Sequence, residues 1–248
     1  METQQFPTVP KVLKTQELKQ EEMLLQEEQK NDERGFTNQS PQVQMLREHC
    51  RQLGLRLFVD DDTAIRSLGI TSALEGEGKS FLASTMAQAL ASDEFAPITL
   101  LECNWQHANL HEYFGFRATP GLAEWLRGEC NGKEARRRIA KNLTVIPAGN
   151  SQADAIRLLQ QLLLQHGLQK TIAQAKGILI VDLPAILTTA YGPLAATLPE
   201  ALLLVTRAGM TSTSSLAKAV GQLTDLSVKG IILNQVNSKI PDWIRQLL

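Results

Sequence analysis

One stretch, Ile70 to Leu90 (ITSALEGEGKSFLASTMAQAL), constrains the chain more than any other. An apolar-leaning run from Ser67 to Thr71 leads into Glu75-Gly76-Glu77-Gly78 and then Lys79-Ser80. A helical pattern follows, with Leu82, Met86, Ala89 and Leu90 on one face. The order is strand, glycine turn, helix. Glycines permit a tight turn in which several backbone N–H groups converge on one anion. The helix adds the positive end of its dipole. Gly76, Glu77, Gly78, Lys79, Ser80 and Phe81 would then surround a phosphate chain, with Lys79 on the β- and γ-phosphates and the Ser80 hydroxyl on Mg²⁺. The pattern G-x-x-x-x-G-K-[ST] is met everywhere but at its first position, which is Ala73. A chance Gly-Lys-Ser before a helix is the competing reading, and the flanking strand and helix favour phosphate binding.

The rest of the chain repeats the alternation of strand and helix. Gln42 to Phe58 reads as an amphipathic helix, and Ala64 to Thr71 as the first strand. Ile98 to Leu101, Leu143 to Pro147, Gly177 to Asp182, Ala201 to Thr206 and Val228 to Asn234 read as five more strands. Helices are expected over 121–126, 153–174 and 212–226, with a short one after Pro241. Continuous apolar strands between helices indicate an α/β fold with a mostly parallel sheet, flanked by helices on both faces. Ligands in such sheets sit at the carboxyl ends of the strands, where the glycine turn, Glu102, Asp182 and Asn234 all fall. Residues 1–40 read differently: Thr15 to Arg34 is dense in Gln, Glu and Lys, and a flexible polar tail is expected before a domain over 41–248.

Composition narrows the function classes. The chain has 248 residues, 43% of them apolar, enough for one sizeable core. A formal net charge of -1 argues against a broad nucleic-acid surface. Cys50, Cys103 and Cys130 show no C-x-x-C spacing, as in a reduced cytoplasmic protein. METQQFPTVP is not a secretory signal, and no apolar run is long enough to span a bilayer. Any membrane link is therefore expected through a partner.

Asp182 closes a wholly apolar strand. A rigidly held acid of that kind organises Mg²⁺, and its position about a hundred residues after the phosphate turn suits that role. Several weaker signals have plainer readings. Cys103, His107 and His111 recur every fourth residue like metal ligands on a helix, but no fourth ligand is evident. Arg136-Arg137-Arg138 reads as a solvated helix face, with an acidic partner or lipid headgroup as the other reading. Ser212 reads as a helix cap, and Trp105 and Trp125 as packing residues.

These landmarks together resemble the cytoplasmic ATPase domain of bacterial tyrosine kinases (BY-kinases) of capsule and exopolysaccharide synthesis, within the ParA/MinD group of P-loop ATPases. The matching stretches run from Gln44 to Asn237: ITSALEGEGKS, LLECNWQHANLHEYFGF, GLAEWLRGE, LTVIPAGN, ILIVDLPAI, ALLLVTRAGMTS and VKGIILNQVN, in the family's order. The resemblance implies a P-loop NTPase that uses ATP and Mg²⁺. Gly76 to Ser80 would be the Walker A loop and Asp182 the Walker B acid. Lys79, Glu102 and Asp182 would be catalytic, Ser80 and Asp182 would hold the metal, and Asn234 would meet the adenine edge. It further implies a membrane-embedded polysaccharide co-polymerase-like partner and a homo-oligomer, while the net charge of -1 leaves no nucleic-acid partner expected.

The chain departs from the family at several positions. Glu75 stands where Pro is common; facing inward it would repel a triphosphate, and facing outward it would do little. Glu102 and Asn104 stand for two aspartates, and an amide cannot act as a general base. Gln106-His107 replace a basic pair, and Gln44, Arg47 and Cys50 replace an interface triad of Glu, Arg and Arg. Only Tyr113 and Tyr191 are present, and SKIPDWIRQLL has no tyrosine, so the expected acceptor is a separate tyrosine substrate. Two alternatives follow: an ATPase switch without kinase activity, as in ParA/MinD, or a degenerate nucleotide-binding regulatory subunit.

Overall fold

The structure is a computed structural model that describes residues 41–59, 65–94, 96–151, 154–164 and 177–236. The tail over 1–40, the acidic run over 60–62 and the closing helix expected after Pro241 lie outside the described residues.

Seven strands form one sheet. They are β1 (Ser67–Ser72), β2 (Ile98–Glu102), β3 (Arg137–Ala140), β4 (Leu143–Ile146), β5 (Ile178–Asp182), β6 (Ala201–Arg207) and β7 (Val228–Asn234). Their order is β3-β4-β2-β5-β1-β6-β7. Every neighbouring pair is parallel except β3 with β4. The helices among the described residues are α1 (Pro41–Phe58), α2 (Lys79–Ser92), α3 (Leu110–Phe114), α4 (Leu122–Arg127), α5 (Ala155–Leu164), α6 (Gly192–Ala195) and α7 (Thr213–Gly221).

Strand side chains alternate between two cores. Leu68, Ile70, Leu100, Ile180 and Leu203 pack under α2 through Leu82, Met86 and Leu90, with Cys50 and Leu57 of α1 outside them. Leu101, Val181, Leu202 and Leu204 face the opposite core with Leu122, Leu158, Leu159 and Ala219. Both faces are thus covered, which is why β1 and β5 are buried along their whole length. The central strands β2, β5 and β1 are adjacent, so the turns after them open on one edge of the sheet.

The arginine cluster is a correction to the sequence reading. Arg137 and Arg138 open β3, an antiparallel edge strand, and not a helix, with Arg136 just before it. The cause is local. Only Lys141 and Asn142 separate β3 from β4, a two-residue connection that closes a hairpin. Arg137 is also drawn in, donating to the Pro120 carbonyl at 2.8 Å. The helix expected over 212–226 stops at Gly221, and of the helix expected over 153–174 the described part is Ala155–Leu164. The short helices α3 and α6, and the 3₁₀ turn Trp105–His107, have too few residues to show a period in sequence.

Candidate functional site

β1 ends at Ser72, and α2 begins at Lys79 with Gly78 as its N-cap. Gly76 (φ 78°) and Gly78 (φ 94°) are both left-handed, which turns the chain from strand to helix in six residues. A Cβ on Gly78 would also lie 2.2 Å from Nδ2 of Asn234. The turn is braced from three directions. Glu77 folds inward, is 3% exposed, and accepts from the Leu74 N–H at 2.7 Å. The Thr211 hydroxyl, from the turn after β6, donates to the same carboxylate. Asn234, at the end of β7, donates to the Glu77 carbonyl at 2.9 Å and accepts from the Gln235 N–H at 2.8 Å. Both halves of the Asn234 amide are thus engaged within the protein, and an adenine contact would require exchanging one of these bonds. The role of Thr211 leaves no mark in the sequence, since it comes from a turn 134 residues away.

Lys79 is 4% exposed, and its ammonium lies 2.7 Å from a Glu75 carboxylate oxygen. The other Glu75 oxygen accepts long contacts from the Ala185 N–H (3.4 Å) and the Thr189 hydroxyl (3.3 Å). Glu75 therefore faces inward, the first of the two orientations left open by the sequence. Burial pushes its pKa up, but the hydrogen bond and charge of Lys79 outweigh burial, and the net direction is down.

Asp182 and Glu102 are register partners on β5 and β2. Both are fully buried. Burial foremost, and then the charge of Glu102, raise the Asp182 pKa to about 7 against the pull of Lys79 and the nearby Ser80 hydroxyl. Even so, neither Asp182 oxygen has a hydrogen bond of normal geometry. An unpartnered buried carboxylate next to a serine hydroxyl is a donor set that suits a hard divalent cation. Glu102 differs. Its Oε1 accepts from the Asn109 and Leu110 N–H groups at 2.7 and 2.9 Å, and its Oε2 from the Ala148 N–H at 2.9 Å. Burial raises its pKa against these bonds. Its oxygens are thus committed to capping α3 and to fixing the chain after β4. The sequence shows an acid at a strand end but not where its oxygens point.

Lys79, Ser80, Phe81, Asn104, His107 and Glu75 line a cleft of about 330 Å³. Asn104 is fully buried, and both polar atoms of its amide lack partners. Phe81 is 40% exposed and meets Tyr113 edge-to-face at 6.3 Å. Trp105 donates to the Ala148 carbonyl at 2.9 Å and packs on Tyr191. Cys103, His107 and His111 do not share a helix: Cys103 follows β2, His107 ends the 3₁₀ turn and His111 is in α3. Ser212 caps α7, accepting from the Ser215 N–H at 3.1 Å. Among the described residues, no helix is long and apolar enough to cross a membrane.

No protein-family model matches the chain. Among curated proteins it is 30% identical over 183 residues to the tyrosine-protein kinase CpsD of Streptococcus agalactiae, covering 71% of this chain and 78% of that one. It is 25% identical over 183 residues to EpsB of Ralstonia solanacearum, but spans only 24% of that longer protein. Among solved structures, the kinase domain of the Escherichia coli tyrosine kinase ETK matches with a TM-score of 0.68 at 20% identity, over 80% of this chain and 79% of that one. The cell division ATPase MinD of Pyrococcus furiosus matches at 0.59 and 21% identity, over 73% and 78% of the two chains. An ATP complex of a Cyanothece McdA variant matches at 0.55 and 20% identity, over 71% and 74%. These likenesses give the fold, a P-loop NTPase with a mostly parallel sheet.

Proposed function

The chain belongs to the bacterial tyrosine-protein kinases, and we propose that it binds Mg-ATP in the cleft after β1, β2 and β5 and transfers the γ-phosphoryl group to a tyrosine hydroxyl of another polypeptide. The observation that carries this reading is the meeting of a buried lysine and a buried, unpartnered aspartate beside a left-handed glycine turn. The backbone N–H groups of Gly76 to Ser80 would hold the phosphates, aided by the amino end of α2. Lys79 would offset charge as it builds on the transferred group. Ser80 and Asp182 would hold Mg²⁺, which when bound neutralises phosphate charge and fixes the phosphate oxygens. Glu102 acts as a positioning residue: it anchors two backbone segments and keeps a negative charge beside Asp182. Phe81 borders the cleft, and Asn234 serves the nucleotide through the loop it braces.

Tyr191 is 4% exposed, and Tyr113, though 43% exposed, is packed edge-on against Phe81 and Phe114, so an acceptor on a separate protein is part of this reading. A membrane-embedded polysaccharide co-polymerase-like partner, a cytoplasmic setting at the inner face of the membrane, and self-association belong to the same proposal. They rest on the family resemblance read from the sequence.

Asn104 favours a second reading. It is among the residues lining the cleft, at the position where the family resemblance expects an acid to take the proton of the incoming hydroxyl, and an amide cannot take that proton. A nucleotide switch or a regulatory subunit would need no such acceptor. The readings separate in one assay: the purified chain with Mg-ATP and a random Glu–Tyr copolymer, with Lys79→Ala alongside. Lys79-dependent phosphotyrosine on the copolymer is the expected result. Lys79-dependent release of free phosphate without phosphotyrosine would replace the kinase with the switch. No turnover in either protein would leave a binding subunit.

A further inference from the structure

We propose that Glu75 is an internal stand-in for the terminal phosphate, and that it biases this site toward a nucleoside diphosphate over a triphosphate. The inference rests on the nucleotide reading above and adds a specificity determinant to it. Glu75 lies within the turn itself, and its carboxylate sits on the ammonium of the loop lysine at 2.7 Å. Lys79 is the cation that would otherwise meet the outermost phosphate. The same carboxylate is held from the far side by the Ala185 N–H and the Thr189 hydroxyl, so it bridges the turn to the segment after β5. That is the gap a phosphoryl group would fill, between the loop lysine and the chain that follows the strand-end acid.

Charge sets the sign of the effect. Lys79 is already paired with Glu75 and lies within the field of Asp182, on which Glu75 and Glu102 act as further negative charges. A diphosphate that ends under the loop leaves the Glu75–Lys79 pair in place. A triphosphate brings more negative charge to the same ammonium and must either evict the Glu75 carboxylate or sit against it. Eviction is feasible because the Glu75 side chain is 26% exposed at the mouth of the cleft, while Lys79 is anchored inside. Binding of a triphosphate is therefore coupled to opening this ion pair. Replacing the acid by its neutral isostere should release the lysine for the third phosphate.

The test is calorimetric titration of the full chain with Mg-ADP and Mg-ATP, for the native protein, Glu75→Gln and Glu75→Asp. The native chain should hold ADP about tenfold or more tighter than ATP. Glu75→Gln should gain about tenfold for ATP and change by less than about twofold for ADP. Glu75→Asp, which keeps the charge, should keep the native preference. Equal changes for both nucleotides in Glu75→Gln, or none, would overturn the proposal and leave the nucleotide site standing. Failure of all three proteins to bind either nucleotide would remove the nucleotide reading itself, and this inference with it.

Discussion

Asp182, Glu102, Glu75 and Lys79 set the behaviour of the site, and each of the three acids sits in a different setting. Asp182 has no partner of normal geometry, Glu102 has three backbone N–H groups, and Glu75 has the lysine. The sequence shows these acids at strand ends and in the turn, but orientation depends on neighbours far along the chain. Thr189, which holds Glu75, lies outside every matching stretch, and Ala148, which holds Glu102, lies in LTVIPAGN but acts only through its backbone N–H. Asp182 gives a pH signature. Its folded pKa, about 7, lies above its unfolded value, so the folded state holds the extra proton between the two. The stability contributed by that proton is complete below the unfolded pKa and is lost as pH rises through about 7. The melting temperature of the metal-free protein should therefore fall through neutral pH, and Asp182→Asn should flatten that fall. The proton also competes with the metal, so apparent Mg²⁺ affinity should rise about tenfold per pH unit below neutrality and then level off. Glu102→Gln sets an N–H donor against backbone N–H groups. It should cost about 1–3 kcal/mol in urea unfolding. It should also shift the Asp182 transition to lower pH, since a repelling charge is gone.

At the scale of the element, the phosphate turn is the most legible piece and the edge hairpin the least. The turn announces itself because two glycines, a lysine and a serine each meet a backbone or charge requirement that few other residues meet. Ala73 at its first position is fully buried, with its carbonyl accepting from the Leu187 N–H at 3.1 Å, so the turn tolerates the extra methyl there. Gly78 has no such latitude. Gly78→Ala would strain a left-handed residue and drive a methyl group into the Asn234 amide. It should lower affinity for a fluorescent ATP analogue by more than about tenfold while the circular dichroism of the sheet persists. β3 was hidden because its arginines suggest solvent and its strand pattern covers only four residues. The sheet, and not local propensity, makes it a strand.

Across the whole molecule, strand order does the work that sequence reading can only assume. Alternating apolar strands and helices imply a parallel sheet, yet they do not say which strands are neighbours. The order places β5 between β2 and β1, which is what sets Asp182 beside Glu102 and next to the phosphate turn. Had β5 lain at an edge, the same motifs would be present without a site. The site therefore depends on the joint action of Lys79 from the turn after β1 and Asp182 at the end of the neighbouring β5. Equilibrium titration of the full chain with ATP, with and without Mg²⁺, tests that directly in the native protein, Lys79→Ala and Asp182→Asn. ATP should bind the native chain more tightly with Mg²⁺ than without, Lys79→Ala should weaken binding in both conditions, and Asp182→Asn should lose the Mg²⁺ enhancement alone. Native binding indifferent to both Mg²⁺ and Lys79 would contradict the account.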